Sequence, residues 1–92
     1  MKIAICDDIP IVANFTERLL LSYKKDICEV EVFYKPQQLI EEIAVDKFDL
    51  YILDIEFPNI SGIELAKIIR IIDPVVPIIF LTNFKEYMED VF

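Results

Sequence analysis

Four oxygen-bearing side chains fall where apolar runs end. Asp7 and Asp8 follow "KIAIC", Asp54 closes "DLYIL", and Thr82 closes "PIIFL". A carboxylate at the end of a strand that reads as buried is costly unless something pairs with it, so each is either a cap or a working group. Taken singly, the plain explanation suffices: Asp7 and Asp8 can cap a following helix, Asp54 can hold a turn, and Thr82 can simply end a strand. Taken together, and with the first and third strands as neighbours, three carboxylates meet in one pocket. They then keep protons or take up a cation. Mg²⁺ suits such a pocket, because it prefers oxygen ligands, keeps several waters and bridges readily to phosphate. One carboxylate can then attack phosphorus and form an acyl phosphate, with the Thr82 hydroxyl placed to bond a phosphoryl oxygen.

The elements that must position these groups alternate along the chain. "KIAIC" (2–6) reads as a buried strand. Between Ile11 and Lys25 the residues Ile11, Phe15, Leu19 and Tyr23 recur every fourth position, with Val12 and Leu20 beside them. That pattern predicts a helix with one apolar stripe facing a core, and Pro10 suits its first turn. "CEVEVF" (28–33) alternates as an outer strand with one wetter face does. Pro36 opens a helix over 37–46, with Leu39, Ile40 and Ile43 on one side. "FDLYILD" (48–54) is a third strand. A helix over 61–72 follows, with Ser61 as its cap and Leu65, Ile68, Ile69 and Ile72 as its buried face. "PIIFLT" (77–82) is a fourth strand, and "KEYMEDVF" starts another helix. Strand–helix alternation of this kind predicts a parallel sheet with helices on both faces, and ligands beyond the C-terminal strand ends.

Composition narrows the chemistry. The 92 residues suffice for one small domain, and an apolar fraction of 55% with one glycine fits a compact regular fold. The chain has no histidine and two cysteines, Cys6 and Cys28, without CxxC spacing. A histidine-activated nucleophile is therefore excluded, no transition-metal site is expected, and two buried thiols in a reducing cytosol are expected. A net charge of −8 disfavours contact with nucleic acid or anionic lipid. No signal peptide is visible, and the oiliest stretch, "IIRIIDPVVPIIFL", is broken by charges and prolines, so no membrane span is expected.

"ICDD", "LDIEFPNISGIEL" and "PIIFLT" at their joint spacing resemble a response-regulator receiver domain, and "TNFKEYMEDVF" is most similar to the LytTR-type transcriptional regulators. The resemblance implies an α/β, flavodoxin-like (CheY-like), doubly wound parallel sheet with strand order 2-1-3-4. It implies a phosphoacceptor domain over 1–92, with Asp54 receiving a phosphoryl group from a histidine kinase. Asp8 is then a direct Mg²⁺ ligand, with Asp7 beside it, and the backbone carbonyl of Glu56 completes the protein's share of the coordination. Thr82 is the switch hydroxyl, and Pro58 and Gly62 shape the loop that presents Glu56. The setting implied is cytoplasmic, with DNA binding left to a separate output domain and no enzymatic turnover beyond assistance to its own phosphoryl transfer.

The pattern stops before the family's fifth strand and last helix, so the domain is expected to be incomplete at its C-terminus. The phosphoryl-pairing lysine of that strand has no counterpart, and Lys85 is not assigned its role. Strand four would then be an open edge, predicting self-association through it and the C-terminal helix region. Asn83 is bulkier than the small residue usual after the threonine, and Glu56 puts an acid near the line of attack. Two alternatives are weighed: a receiver-like module kept for dimerisation and never phosphorylated, and a haloacid-dehalogenase-type phosphatase. The second also places an Asp after an apolar strand, but its nucleophilic strand comes first.

Overall fold

The computed structural model describes residues 1–24, 26 and 29–81. The order of elements is β1 (Lys2–Cys6), α1 (Pro10–Lys24), β2 (Glu29–Phe33), α2 (Pro36–Ile43), β3 (Leu50–Asp54), α3 (Gly62–Ile72) and β4 (Ile78–Leu81). The four strands form one parallel sheet in the order β2-β1-β3-β4. The expected topology is the observed one. Cys28, Thr82 and the segment "KEYMEDVF" lie outside the described residues.

Alternation along β1 and β3 divides the core in two. Ile3, Ile5 and Ile52 face α1 and meet Ala13, while Ala4, Cys6, Tyr51 and Leu53 face α2 and α3. On that second face Leu39 and Ile43 of α2 join Leu65, Ala66 and Ile69 of α3, so two amphipathic helices cover one side of the sheet. Ile72, expected in this buried face, is 43% exposed, because it lies at the last residue of α3, beyond the turn that Leu65 and Ile69 anchor.

The α1 stripe departs further from expectation. Ile11, Phe15, Leu19 and Tyr23 do share one side of the helix, yet they are 82, 60, 55 and 83% exposed. The helix rests on the sheet through Ala13 and Leu20 instead. A small residue at 13 lets the helix backbone approach β1 closely, and that contact turns the larger stripe outward.

Element ends have local causes. Helix α2 stops at Ile43 rather than 46, and its end closes with Val45 N–H and Asp46 N–H both donating to the Glu42 carbonyl. The Asp46 carboxylate accepts from Lys47 N–H, a local bond that competes with helix continuation. Phe48 and Asp49 lead into β3 rather than belonging to it. Phe48 stacks edge-on against Phe33 and Tyr51, and Asp49 N–H donates to the Lys2 carbonyl at 2.7 Å. Helix α3 begins as expected: Ser61 Oγ accepts from Glu64 N–H at 3.1 Å.

Candidate functional site

Because β1 and β3 are adjacent and parallel, their C-terminal ends deliver side chains to one rim. Cys6 pairs in register with Leu53, which sets Asp7 beside Asp54, each one residue further along. Carboxylate oxygens of Asp7, Asp8 and Asp54 lie within 4.8 Å of one another. Asp7 and Asp54 are buried, at 3% and 8% exposure, and Asp8 is half-buried.

Few protein groups answer these charges. Ile9 N–H donates to Asp7 Oδ1 at 2.9 Å, and Glu56 N–H reaches Asp54 Oδ1 at 3.4 Å. Among the described residues no lysine or arginine forms an ion pair with any of the three. Burial, and after it the neighbouring Asp54 and Asp8, push the Asp7 carboxyl up to about 6 against the pull of the Ile9 N–H. Asp54 is also raised, first by burial and then by Asp8, whose carboxyl shares a hydrogen bond with it. Cys6, buried directly beneath, is pushed to about 12 by burial and then by Asp7, Asp54 and Asp8. The site is thus a cluster of hard oxygen donors that favours protons or a small divalent cation.

The loop after β3 is folded tightly against the nucleophile candidate. Glu56 bridges back to Ser61, and Gly62 N–H donates to the Ile55 carbonyl. A Cβ on Gly62 would stand 1.9 Å from the Asp54 carbonyl oxygen, so only glycine permits this approach. Gly62 is therefore part of the site's construction. Pro58 and the Glu56 side chain are exposed on the same loop. Of the residues singled out from sequence, Asp7, Asp8 and Asp54 come together, Glu56 stands two positions beyond, and Thr82, Asn83 and Lys85 lie outside the described residues.

A neighbouring feature was not read from the sequence. The loops after β2 and β3 enclose a cleft of about 630 Å³ whose walls include Asp8, Tyr34, Lys35, Ile40, Phe57 and Ile60. The available signal was topological: in a parallel sheet the segment after β2 opens onto the same rim as the acids.

A sheet of this order with clustered acids at its C-terminal rim is the architecture of a receiver domain. The family model "Response regulator receiver domain" matches residues 3–92. This chain belongs to that family. It is 33% identical over 87 residues to the sensory transduction protein LytR of Staphylococcus epidermidis, covering 95% of this chain and 34% of that protein. Among solved structures, the Thermotoga maritima response regulator TrrA, in complex with Mg²⁺-BeF, superposes with a TM-score of 0.79 at 30% identity over 98% of this chain and 76% of that one. TrrA in complex with the histidine kinase ThkA gives a TM-score of 0.73 at 32% identity, covering 94% of this chain and 72% of that one. The chain spans about a third of the length of the curated relatives it matches. Family membership sets aside the phosphatase alternative. No helix among the described residues is long and apolar enough to cross a membrane.

Proposed function

We propose that this chain is the phosphoacceptor region of a cytoplasmic two-component response regulator, with Asp54 as the acceptor. The observation that carries the proposal is the convergence of three carboxylates within 4.8 Å at the ends of adjacent strands in a receiver-family sheet. Asp8 and Asp54, with Asp7 beside them and the Glu56 backbone carbonyl, form the donor set for one Mg²⁺. The donor chemistry fits: the carboxylates are hard ligands, and the described residues form no ion pair with them. A bound Mg²⁺ supplies neutralisation of these carboxylates and of the phosphoryl oxygens.

The chain's own residues do the rest. An Asp54 oxygen attacks the phosphorus of a phosphohistidine, the P–N bond breaks, and the imidazole leaves. The sheet holds Asp54 still, and the Gly62 contact fixes its backbone, so positioning carries much of the barrier reduction. This is assistance to the chain's own modification rather than turnover of a substrate. Thr82, one residue beyond the end of β4, is assigned the switch hydroxyl. A histidine kinase is the assigned donor, supported by the ThkA–TrrA complex of a relative. The switch acts on self-association and on an output domain resembling that of LytTR-type regulators, with no nucleic-acid contact by this region. Self-association is assigned to β4 and the segment after it. Among the described residues β4 pairs with β3 alone, and it exposes Ile79 and Phe80 at 49% and 39%.

The test is incubation with Mg²⁺ and acetyl phosphate, read by intact mass and peptide mapping. Addition of one phosphoryl group at Asp54, absent without Mg²⁺, is the expected result. An unmodified Asp54 under both conditions overturns the proposal and leaves a receiver-like dimerisation module.

A further inference from the structure

The cleft beside the acids has the size and lining of a small-molecule site. Its volume of about 630 Å³ falls in the range that encloses ligands of that class. Tyr34, Ile40, Phe57 and Ile60 give it apolar walls, and Lys35 is the one cation among the described residues that line it. The walls are braced. The Tyr34 hydroxyl donates to Asn14 Oδ1 at 2.7 Å, tying the β2–α2 loop to α1, and Ile40 and Phe57 pack against the buried core. At one end the wall is Asp8, whose carboxylate also belongs to the acid cluster around Asp54.

That shared wall links the cleft to the reaction. In-line attack puts the leaving group on the side of phosphorus opposite the attacking oxygen. Asp54 is only 8% exposed, and its cluster shares the Asp8 wall with the cleft, so the cleft is the adjoining space into which the organic part of a donor extends. Resting on the assignment of Asp54 as acceptor, we propose that this cleft seats the organic part of a small acyl phosphate donor and favours aromatic or branched acyl groups over acetyl. The step balances without a proton: an Asp54 oxygen forms a bond to phosphorus, the P–O bond to the acyl group breaks, and the electron pair leaves with the acyl oxygen as a free carboxylate. Lys35, one of the lining residues, supplies a positive charge for that developing carboxylate, while the apolar walls take the ring or branched chain.

The experiment compares benzoyl phosphate with acetyl phosphate at equal concentration and Mg²⁺, with Asp54 modification followed by mass. The expected rate ratio favours benzoyl phosphate by roughly tenfold. Lys35→Glu and Ile60→Asp each bring the ratio close to one, which separates a contribution of the cleft from the intrinsic reactivity of the two donors. A second readout needs neither metal nor turnover: 4-fluorobenzoate, standing in for the departing carboxylate, shifts amide signals of the non-proline residues among 34–40 and 57–60 in the unmodified protein. Equal rates for the two donors, with those amides unmoved, overturn this inference and leave the function of Asp54 standing. No modification of Asp54 by either donor overturns both, whatever the fluorobenzoate does.

Discussion

Where the strands begin, Asp46 and Asp49 converge on Lys2; where they end, Asp7, Asp8 and Asp54 converge on one another. At the first rim the Lys2 ammonium pairs with Asp46 and lies 5.0 Å from the centre of the Phe48 ring, while its backbone N–H donates to Asp49 at 2.7 Å. Each charge there has an answering group, and the arrangement latches the start of β1 to the lead-in of β3. At the opposite rim the acids are more deeply buried yet lack a cation from the described chain. Among the described residues the acids are balanced at one rim and opposed at the other, which is the contrast the proposed Mg²⁺ site rests on.

The sharpest break in that contrast is Asp54→Asn. It removes the proposed nucleophile, and phosphoryl uptake from acetyl phosphate should fall to nothing by intact mass, whereas Asp46→Asn leaves uptake at the level of the unaltered protein. Next in size is Gly62→Ala. The added methyl meets a backbone carbonyl that cannot move aside, so urea unfolding should show a loss of about 3 kcal/mol.

Removing a charge should have opposite signs at the two rims. Asp8→Asn relieves repulsion and should stabilise the cation-free protein by about 1 kcal/mol, while abolishing the further stabilisation expected from Mg²⁺ at the proposed site. Lys2→Met unpairs Asp46 and should cost about 0.5–1 kcal/mol with no change in Mg²⁺ response.

A last effect, of similar size, is one of pH. Asp7 is raised from 3.8 to about 6, so between these values the folded state holds more protons than the unfolded one. Its contribution is therefore fully present below about pH 4 and is lost as pH rises through 6. After allowance for solvent screening the difference is on the order of 1 kcal/mol. It should show in unfolding curves as the gap between the unaltered protein and Asp7→Asn, without added metal. A gap of the opposite sign would mean that Asp7 is stabilised as an anion.

The sequence made the sheet legible because its central strands are short, nearly continuous apolar runs with acids directly after them. Parallel pairing then forces Asp7, Asp8 and Asp54 onto one rim, whatever the helices do. Periodicity was less informative about α1. A four-residue repeat shows which side chains share a face, but Ala13 decided which face met the sheet. The cleft was hidden for a different reason. Its walls come from two segments well separated in sequence, Tyr34 to Ile40 and Phe57 to Ile60, and no local pattern announces that they will meet. Gly62 stood in plain view as the only glycine, yet its clash with the Asp54 carbonyl depends on the path of the loop between them.

Cys6, sealed beneath the acids, gives the molecule a built-in reporter. With its thiol held near 12 and its surface fully covered, alkylating reagents react there only when the sheet parts. The rate of iodoacetamide labelling at the Cys6 peptide therefore times the opening of the proposed phosphorylation centre. An ion or modification that braces the centre slows that clock before any change in overall shape is seen.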